Sequence, residues 1–174
     1  MRRLILLLIV CCMVSLATVN AQTKQKGFFV EASVSCAKDH IKNYAIITPT
    51  IAYQFNLRWS AGMKVGFETA TFPYTIYTPF IRFNFLQVNK LSLFTEAQFN
   101  LLSRDVDGGQ TGYDEAGLSF GLTYSLVKHL NLVGHYLFVG YSGKNEKEGA
   151  WLGNSDFALD ASVSRLQLGL QFIF

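Results

Sequence analysis

The chain has 174 residues, of which 50% are hydrophobic and only 16% are charged. Lysine and arginine number 15 against 12 acidic residues, so the formal net charge is +3, far from the strongly basic balance of most nucleic-acid-binding domains. No nucleic-acid partner is therefore expected, and the length predicts a single domain.

The first 21 residues have the organisation of a secretory signal peptide. A basic start precedes an apolar run at 4–14, and a polar stretch ends at Ala21. This apolar run is shorter than the roughly 20 residues that a membrane-spanning helix needs. We expect cleavage between Ala21 and Gln22, which leaves residues 22–174 as the mature domain.

The cysteines offer one alternative to this reading. Cys11 and Cys12 lie inside the apolar run, where a lipoprotein would carry its lipidated cysteine. Val10 is a poor residue before such a cysteine, and cleavage there would leave hardly any apolar segment. Only Cys36 lies in the mature domain, so an intramolecular disulfide is excluded although exported compartments are oxidising.

Eight segments of the mature domain alternate apolar and polar residues with the period of two that indicates a strand with two different faces. They lie at 27–37, 44–56, 58–68, 74–86, 90–103, 115–127, 131–142 and 162–174. Each is long enough for a tilted strand to cross the hydrocarbon core, which takes about 9–11 residues. The sequence therefore predicts an all-β fold, an eight-stranded antiparallel up-and-down transmembrane β-barrel.

One face of these strands is apolar and carries no charge. In the first strand it consists of Phe28, Val30, Ala32 and Val34. A lysine or arginine on a lipid-exposed face at mid-depth would cost about 2–4 kcal/mol, so we assign this face to lipid and the opposite face to the lumen. We predict that the lumen holds a network of paired charges, formed by Glu31, Lys64, Arg82, Glu96 and Arg165. The seventh strand has apolar residues on both faces, and its orientation is left open.

The predicted connections alternate in length along the chain. Short turns lie at Leu57, 88–89 and 128–130, and longer loops at 38–43, 69–73, 104–114 and 143–161. Barrels of this class keep short turns on the periplasmic side, so we expect both chain ends there and all long loops outside. Pro49 and Pro79 fall inside strands, where a missing amide donor predicts bulges.

A soluble barrel of the lipocalin type, with its apolar face turned into a ligand cavity, is the competing architecture. Such a barrel needs a charged outer face. Here the charge-bearing face also carries many small uncharged residues, whereas the aromatic residues collect at the strand ends of the apolar face. This distribution is typical of the aromatic girdles of a membrane barrel.

The last predicted strand carries an alternating series that ends in phenylalanine: Leu166, Leu168, Leu170, Phe172 and Phe174. Together with the leader, the eight strands and the alternating connections, this series resembles the small outer-membrane β-barrel families of the OmpX and OmpA-barrel type. The resemblance covers the whole mature domain. It implies a bacterial outer-membrane location, in contact with lipid and lipopolysaccharide. It also implies that the barrel-assembly machinery recognises the last strand as its signal during biogenesis. Since the sequence ends at Phe174, the periplasmic peptidoglycan-binding domain of OmpA-type proteins is not expected.

We expect a structural or surface-interaction role, such as membrane integrity, adhesion or resistance to host factors. The interior of an eight-stranded barrel is just wide enough for side chains to fill, so the lumen charges are expected to pair and plug it. A narrow porin-like channel is the alternative. The last loop, with Trp151 and Phe157, is the best place for an extracellular partner to bind, and contact of Trp151 with lipid headgroups is the open alternative.

A lipid A- or phospholipid-modifying enzyme is the other alternative. The lipid A deacylase family places a serine two residues after its catalytic histidine, but Tyr136 and Leu137 follow His135 here, so that match fails. We assign no catalytic residue, no metal ligand and no cofactor-binding residue, and we expect no cofactor.

Overall fold

A computed structural model describes residues 26–38, 43–69, 75–106, 109–143, 151–152 and 156–174. Ten strands and one short 3₁₀-helix form from these residues. The strands are β1 (Gly27–Lys38), β2 (Asn43–Gln54), β3 (Trp59–Glu68), β4 (Thr75–Val88), β5 (Leu91–Val106), β6 (Gly109–Val127), β7 (Leu130–Ser142), β8 (Trp151–Leu152), β9 (Phe157–Asp160) and β10 (Gln167–Ile173). The 3₁₀-helix, η1, spans Val163–Arg165.

Eight of these strands close into an antiparallel barrel. Strands β1 to β7 pair in chain order, and β10 pairs with both β1 and β7. The two remaining strands, β8 and β9, form a small hairpin that continues the sheet from β7 at one end of the barrel. The predicted fold class is confirmed.

The two ends of the barrel differ in their connections. We call the end at 55–58, 89–90 and 128–129 the turn end, where short turns join the strands and where β1 begins and β10 finishes. The opposite end, the loop end, holds the other connections together with β8, β9 and η1. No helix among the described residues is long and apolar enough to cross a membrane.

The barrel wall buries polar side chains in the lumen and exposes apolar side chains on its outer surface, which is the reverse of a soluble protein. In β1, Glu31, Ser33 and Ser35 are buried, while Val30 and Val34 point outward and are exposed. The same alternation exposes large apolar side chains all around the wall, and Phe28 and Ile51 reach 57% and 59% exposure. An apolar surface of this extent suits a hydrocarbon solvent and not water. The apolar faces predicted for lipid therefore form the outer surface, and the lipocalin-like alternative fails.

A bulge in β7 decides the orientation that the sequence leaves open. Val133 and His135 point into the lumen and are buried, whereas Tyr136 is exposed. Leu137 has a positive φ of 65°. It has no partner on β6, because the register between β6 and β7 shifts by one residue between Ser119 and Phe120. The extra residue reverses the alternation, so that Phe138 is buried in the lumen instead of exposed. Both faces of β7 are apolar because the strand changes face partway along.

Three details differ from the predictions. Most of the predicted loop 104–114 is strand, because β5 and β6 continue pairing out to Val106 and Gly109 and leave only 107–108 between them. The bulges predicted at Pro49 and Pro79 are absent. Each proline keeps a register partner on one neighbouring strand and lacks one on the other. Pairing is interrupted there without an inserted residue, so the register is the same before and after the proline.

The last barrel strand is shorter than predicted. It begins at Gln167, because the segment before it turns into η1 instead of pairing with β1 and β7. In its place β9 pairs with the upper part of β7, from Phe138 to Tyr141. This exchange of partners brings η1 and β9 to the mouth of the barrel.

Candidate functional site in the barrel lumen

Five ionisable side chains meet inside the barrel, and we call them the central cluster: Glu31 (β1), Lys64 (β3), Arg82 (β4), Glu96 (β5) and His135 (β7). Each occupies an inward position of its strand, and each is buried, with Glu96 at 0% exposure and Arg82 at 2%. Since β1 and β5 lie four places apart in a ring of eight strands, Glu31 and Glu96 lie on opposite walls of the lumen, and Arg82 and His135 connect them.

Arg82 is the bridge across the cluster. Its Nε donates to Oε1 of Glu96 at 2.6 Å, and its terminal NH2 group donates to Oε2 of Glu31 at 3.0 Å. The ammonium group of Lys64 donates to Oε2 of Glu96. A guanidinium group presents several donors in a fixed plane, which lets one arginine satisfy two carboxylates on different strands.

His135 joins the cluster from the other side of the lumen. Its Nε2 lies 2.7 Å from Oε1 of Glu31, and its Nδ1 lies 3.5 Å from Oε2 of Glu96 without a hydrogen bond. Its ring also meets that of Phe94 edge-to-face, with 5.2 Å between the ring centroids. The imidazole thus contacts both acids of the cluster and is shielded on one side by an aromatic ring.

Aromatic rings surround the charges. The guanidinium carbon of Arg82 lies 4.3 Å from the ring centroid of Phe94, with Phe29 and Phe80 at 5.4 and 5.5 Å. The ammonium nitrogen of Lys64 lies 4.8 Å from the centroid of Phe80. All three rings are buried, so the cations are held by cation–π contact as well as by ion pairing. The lumen is packed with side chains at this level.

A second group of charges lies at the loop end, and we call it the mouth cluster: Glu115 (β6), Asp160 (β9) and Arg165 (η1). Both terminal nitrogens of Arg165 donate to the carboxylate of Glu115, at 2.8 and 2.7 Å, and its Nε donates to Asp160 at 2.7 Å. Asn100 and Ser142 also donate to Glu115, at 3.0 and 2.9 Å.

The mouth cluster holds the segment around η1 against the barrel. The guanidinium carbon of Arg165 lies 4.7 Å from the ring centroid of Phe138, and the hydroxyl of Tyr136 donates to the carbonyl of Ala161 at 2.6 Å. Burial by itself would raise the pKa of Asp160, but Arg165 and the Ser162 amide hold that pKa below its ordinary value. The carboxylate is therefore charged and bound to arginine at neutral pH.

The structure brings together four of the five predicted network residues, Glu31, Lys64, Arg82 and Glu96, and separates the fifth. Arg165 does not join them, because η1 displaces it toward the loop end, where it binds Glu115 and Asp160. His135 takes the fifth place in the central cluster. Sequence reasoning missed His135 because the bulge at Leu137 masks the alternation of β7, and it missed Asp160 because that residue lay in a predicted loop.

The residues predicted as an assembly signal lie along the end of the chain. Leu166 precedes β10, and Leu166, Leu168, Leu170 and Phe174 point outward and are exposed. Phe172 differs, because its ring is covered by the ring of His129, with centroids 5.9 Å apart, and by that of Phe174 at 5.2 Å. Ala21 and Gln22, the predicted cleavage site, lie outside the described residues.

The described residues contain no group of three or more histidine, cysteine, aspartate or glutamate side chains that could hold a metal ion. His135 contacts two carboxylates, but it is buried inside the barrel and not on the lipid-facing wall. The geometry of the central cluster is that of paired charges that cross-link five strands.

Comparisons with known proteins identify the fold. No protein-family model matches the sequence, and no curated protein shows significant similarity to it. The N-terminal β-barrel domain of Pseudomonas aeruginosa OprF superposes with a TM-score of 0.60 at 13% identity, covering 86% of this chain and 98% of that domain. Neisserial surface protein A gives 0.52 at 14% identity (87% and 98% coverage), and the de novo designed TMB2.3 gives 0.51 at 14% (88% and 98%). The chain is thus an eight-stranded antiparallel transmembrane β-barrel of the kind found in small outer-membrane proteins.

Proposed function

We propose that this protein is an integral outer-membrane barrel with a structural or surface-interaction role, whose lumen is closed by the central cluster. The observation that carries the proposal is the burial of five charged or ionisable side chains, linked across the lumen by Arg82. Because these side chains fill the lumen, we expect the protein to act through its outer wall, which contacts lipid, and through its loop end, which is free to contact partners.

The outer wall supports the membrane location. Its exposed side chains are apolar from β1 to β10, which suits the hydrocarbon core of a bilayer. The short turns lie at the same end of the barrel as the start of β1 and the end of β10, as in barrels whose turns face the periplasm. In this orientation the loop end, with β8, β9 and the β5–β6 hairpin, faces the outside of the cell.

The loop end supports a surface role. Beyond Ser103, which pairs with Thr75 at the start of β4, β5 continues to Val106 in register with β6, so this hairpin carries the described strands farthest along the loop end. Next to this hairpin, β8 and β9 extend the sheet from β7, and Phe157 is 65% exposed there. Elements that project from a rigid scaffold are where partner binding is concentrated. Adhesion or resistance to host factors would act through them.

The location is tested by the migration of the outer-membrane fraction on gels with and without boiling, together with protease treatment of whole cells. A folded barrel is expected to migrate differently before and after boiling, and cleavage in whole cells is expected only at the loop end. A protein with one migration position that also resists protease on cells contradicts the proposal.

The closed lumen is tested by single-channel recording in planar bilayers. The wild-type barrel is expected to show no stable openings. Arg82→Ala, which removes the bridge between Glu31 and Glu96, is expected to increase the frequency of small openings. Ile81→Ala, on the outward face of the same strand, is the matched control and is expected to stay closed. Frequent openings of the wild-type protein would favour the narrow channel.

The enzyme alternative has its own test. A strain that lacks the gene is expected to keep an unchanged lipid A mass spectrum and an unchanged phospholipid profile. A change that the intact gene reverses, and that a His135→Ala copy does not, would favour a lipid-modifying enzyme.

A further inference from the structure

The turn end of the barrel is basic. Four cationic side chains are exposed there: Lys26, Arg58, Lys90 and Lys128. Lys26 directly precedes β1, and each of the others lies in one of the three short turns. No acidic residue accompanies them in the described part of this end. We call these four residues the basic collar.

The acidic residues lie elsewhere. Glu31 and Glu96 are buried in the central cluster, where they pair with Lys64 and Arg82. The other acidic residues in the described ranges belong to the loop end: Glu68, Asp105, Asp114, Glu115, Asp156 and Asp160. The acidic side chains of the described ranges therefore lie away from the turn end, and none of them neutralises the basic collar.

Each member of the basic collar borders apolar side chains of the outer wall. Arg58 lies between Leu57 and Trp59, which are both exposed. In the next turn Lys90 precedes the exposed Leu91. Lys128 follows Val127 in the same way, and Lys26 lies two residues before Phe28. These apolar side chains belong to the surface that faces hydrocarbon, so the adjacent cations lie at the depth of the lipid headgroups.

The turns also keep the cations at that depth. Asn56 accepts hydrogen bonds from the amides of Arg58 and Trp59 at 2.8 and 2.9 Å, and the carbonyl of Leu57 accepts from the side chains of Asn84 and Gln87 at 3.2 and 2.7 Å. The turns at 89–90 and 128–129 contain two residues each and leave no length of chain to extend away from the barrel. The backbone at Arg58, Lys90 and Lys128 is therefore held at the rim of the barrel.

We propose that the basic collar binds the phosphate groups of anionic phospholipids in the leaflet that surrounds the turn end. The inference rests on the proposed membrane location. Charge complementarity supplies the attraction, and the ring of apolar and aromatic neighbours places the cations where headgroup phosphates lie. A polymer or protein in the periplasm would meet these side chains only beyond the headgroups, which makes lipid the occupant that the geometry favours.

The proposal is tested by electron spin resonance of spin-labelled lipids around the barrel in phosphatidylcholine vesicles. Trace spin-labelled phosphatidylglycerol is compared with trace spin-labelled phosphatidylcholine. The attraction of one basic side chain near an anionic surface corresponds to about a 3- to 5-fold preference for the anionic lipid at low salt. Because the cations are exposed to water, this preference is expected to fall as salt is added.

Two variants separate charge from structure. Lys26→Gln, Arg58→Gln, Lys90→Gln and Lys128→Gln, combined, are expected to reduce the preference to nearly 1-fold. The charge-conserving combination of Lys26→Arg, Arg58→Lys, Lys90→Arg and Lys128→Arg is expected to keep it. Lys38→Gln with Arg104→Gln, which removes charge from the loop end instead, serves as a second control and is expected to change it less.

The outcomes distinguish this proposal from the one on which it rests. Failure of the wild-type barrel to insert into any vesicle, seen as a lack of heat-modifiable migration, would contradict the membrane location itself. Correct insertion without a preference for phosphatidylglycerol would overturn only the role of the basic collar. A preference that survives the combined glutamine variant would overturn it equally.

Discussion

The central cluster and the mouth cluster use the same chemistry in two different environments. In the central cluster every partner comes from a barrel strand and is buried. In the mouth cluster Asp160 and Arg165 come from β9 and η1, and the side chain of Arg165 is 23% exposed. Water can replace a lost partner at the mouth but not in the centre. An ion pair in the lumen therefore cross-links barrel strands, whereas an ion pair at the mouth holds β9 and η1 against the barrel.

The largest effect is expected from Arg82→Met. This change leaves Glu31 and Glu96 with one fewer cation in a buried site, and removal of one partner from a buried pair costs about 3–5 kcal/mol. The free energy of unfolding, measured by urea titration of the barrel in phosphatidylcholine vesicles, checks this. Ile81→Ala is the control on the outward face. A loss for Arg82→Met no larger than that of the control would contradict the cross-linking role.

The next effect concerns the pairing of Lys64 with Glu96. Lys64→Met and Glu96→Gln are each expected to destabilise the barrel, because each leaves a buried partner unbalanced. The double variant is expected to lose less than the sum of the two, with a coupling of about 1–3 kcal/mol. A double-mutant cycle on the same urea titrations measures this coupling. Strictly additive losses would show that the two side chains do not depend on each other.

A smaller loss is expected from Arg165→Gln. It removes three charged hydrogen bonds at the mouth, and the partial exposure of the site reduces the loss to about 1–2 kcal/mol. The change should also raise the protease sensitivity of the loop end while the barrel stays folded on gels. If Arg165→Gln destabilised the whole barrel as much as Arg82→Met, the distinction between the two clusters would fail.

The smallest effect is a dependence on pH at the mouth. The pKa of Asp160 is lowered in the folded protein, so its contribution to stability is present above the pKa of the unfolded chain and is lost as the pH falls through the lowered value. Acid is therefore expected to loosen β9 and η1. Amide hydrogen exchange of β9 at decreasing pH measures this, and Asp160→Asn should show faster exchange at neutral pH with less further change in acid.

Much of the barrel was predictable because alternate residues of a barrel strand face lipid and lumen, which gives the sequence an apolar–polar pattern with a period of two. Phe28 and Val30 alternate with Phe29 and Glu31, and this alternation alone indicates which side chains face lipid. The prediction lost accuracy where the period breaks. Around Leu137 one extra residue reverses the faces of β7, and the pattern of apolar residues cannot show where the reversal occurs.

The pairing of the charges was only partly predictable. That Glu31, Lys64, Arg82 and Glu96 face inward follows from their positions within the strands. That Arg82 reaches both Glu31 and Glu96, and that His135 completes the group, follows from the registers of strands that are far apart in the chain. Side chains on opposite walls meet only at the heights that those registers set.

The sequence by itself determined the number of barrel strands, the apolar outer wall, the inward charges and the ends at which turns and loops lie, because each depends on residues close together in the chain. Only the tertiary structure decided that β7 changes face and that η1 moves Arg165 from the lumen centre to the mouth. It also decided which charges pair, since barrel closure joins β10 to β1 and β7 and thereby sets side chains from distant strands against one another.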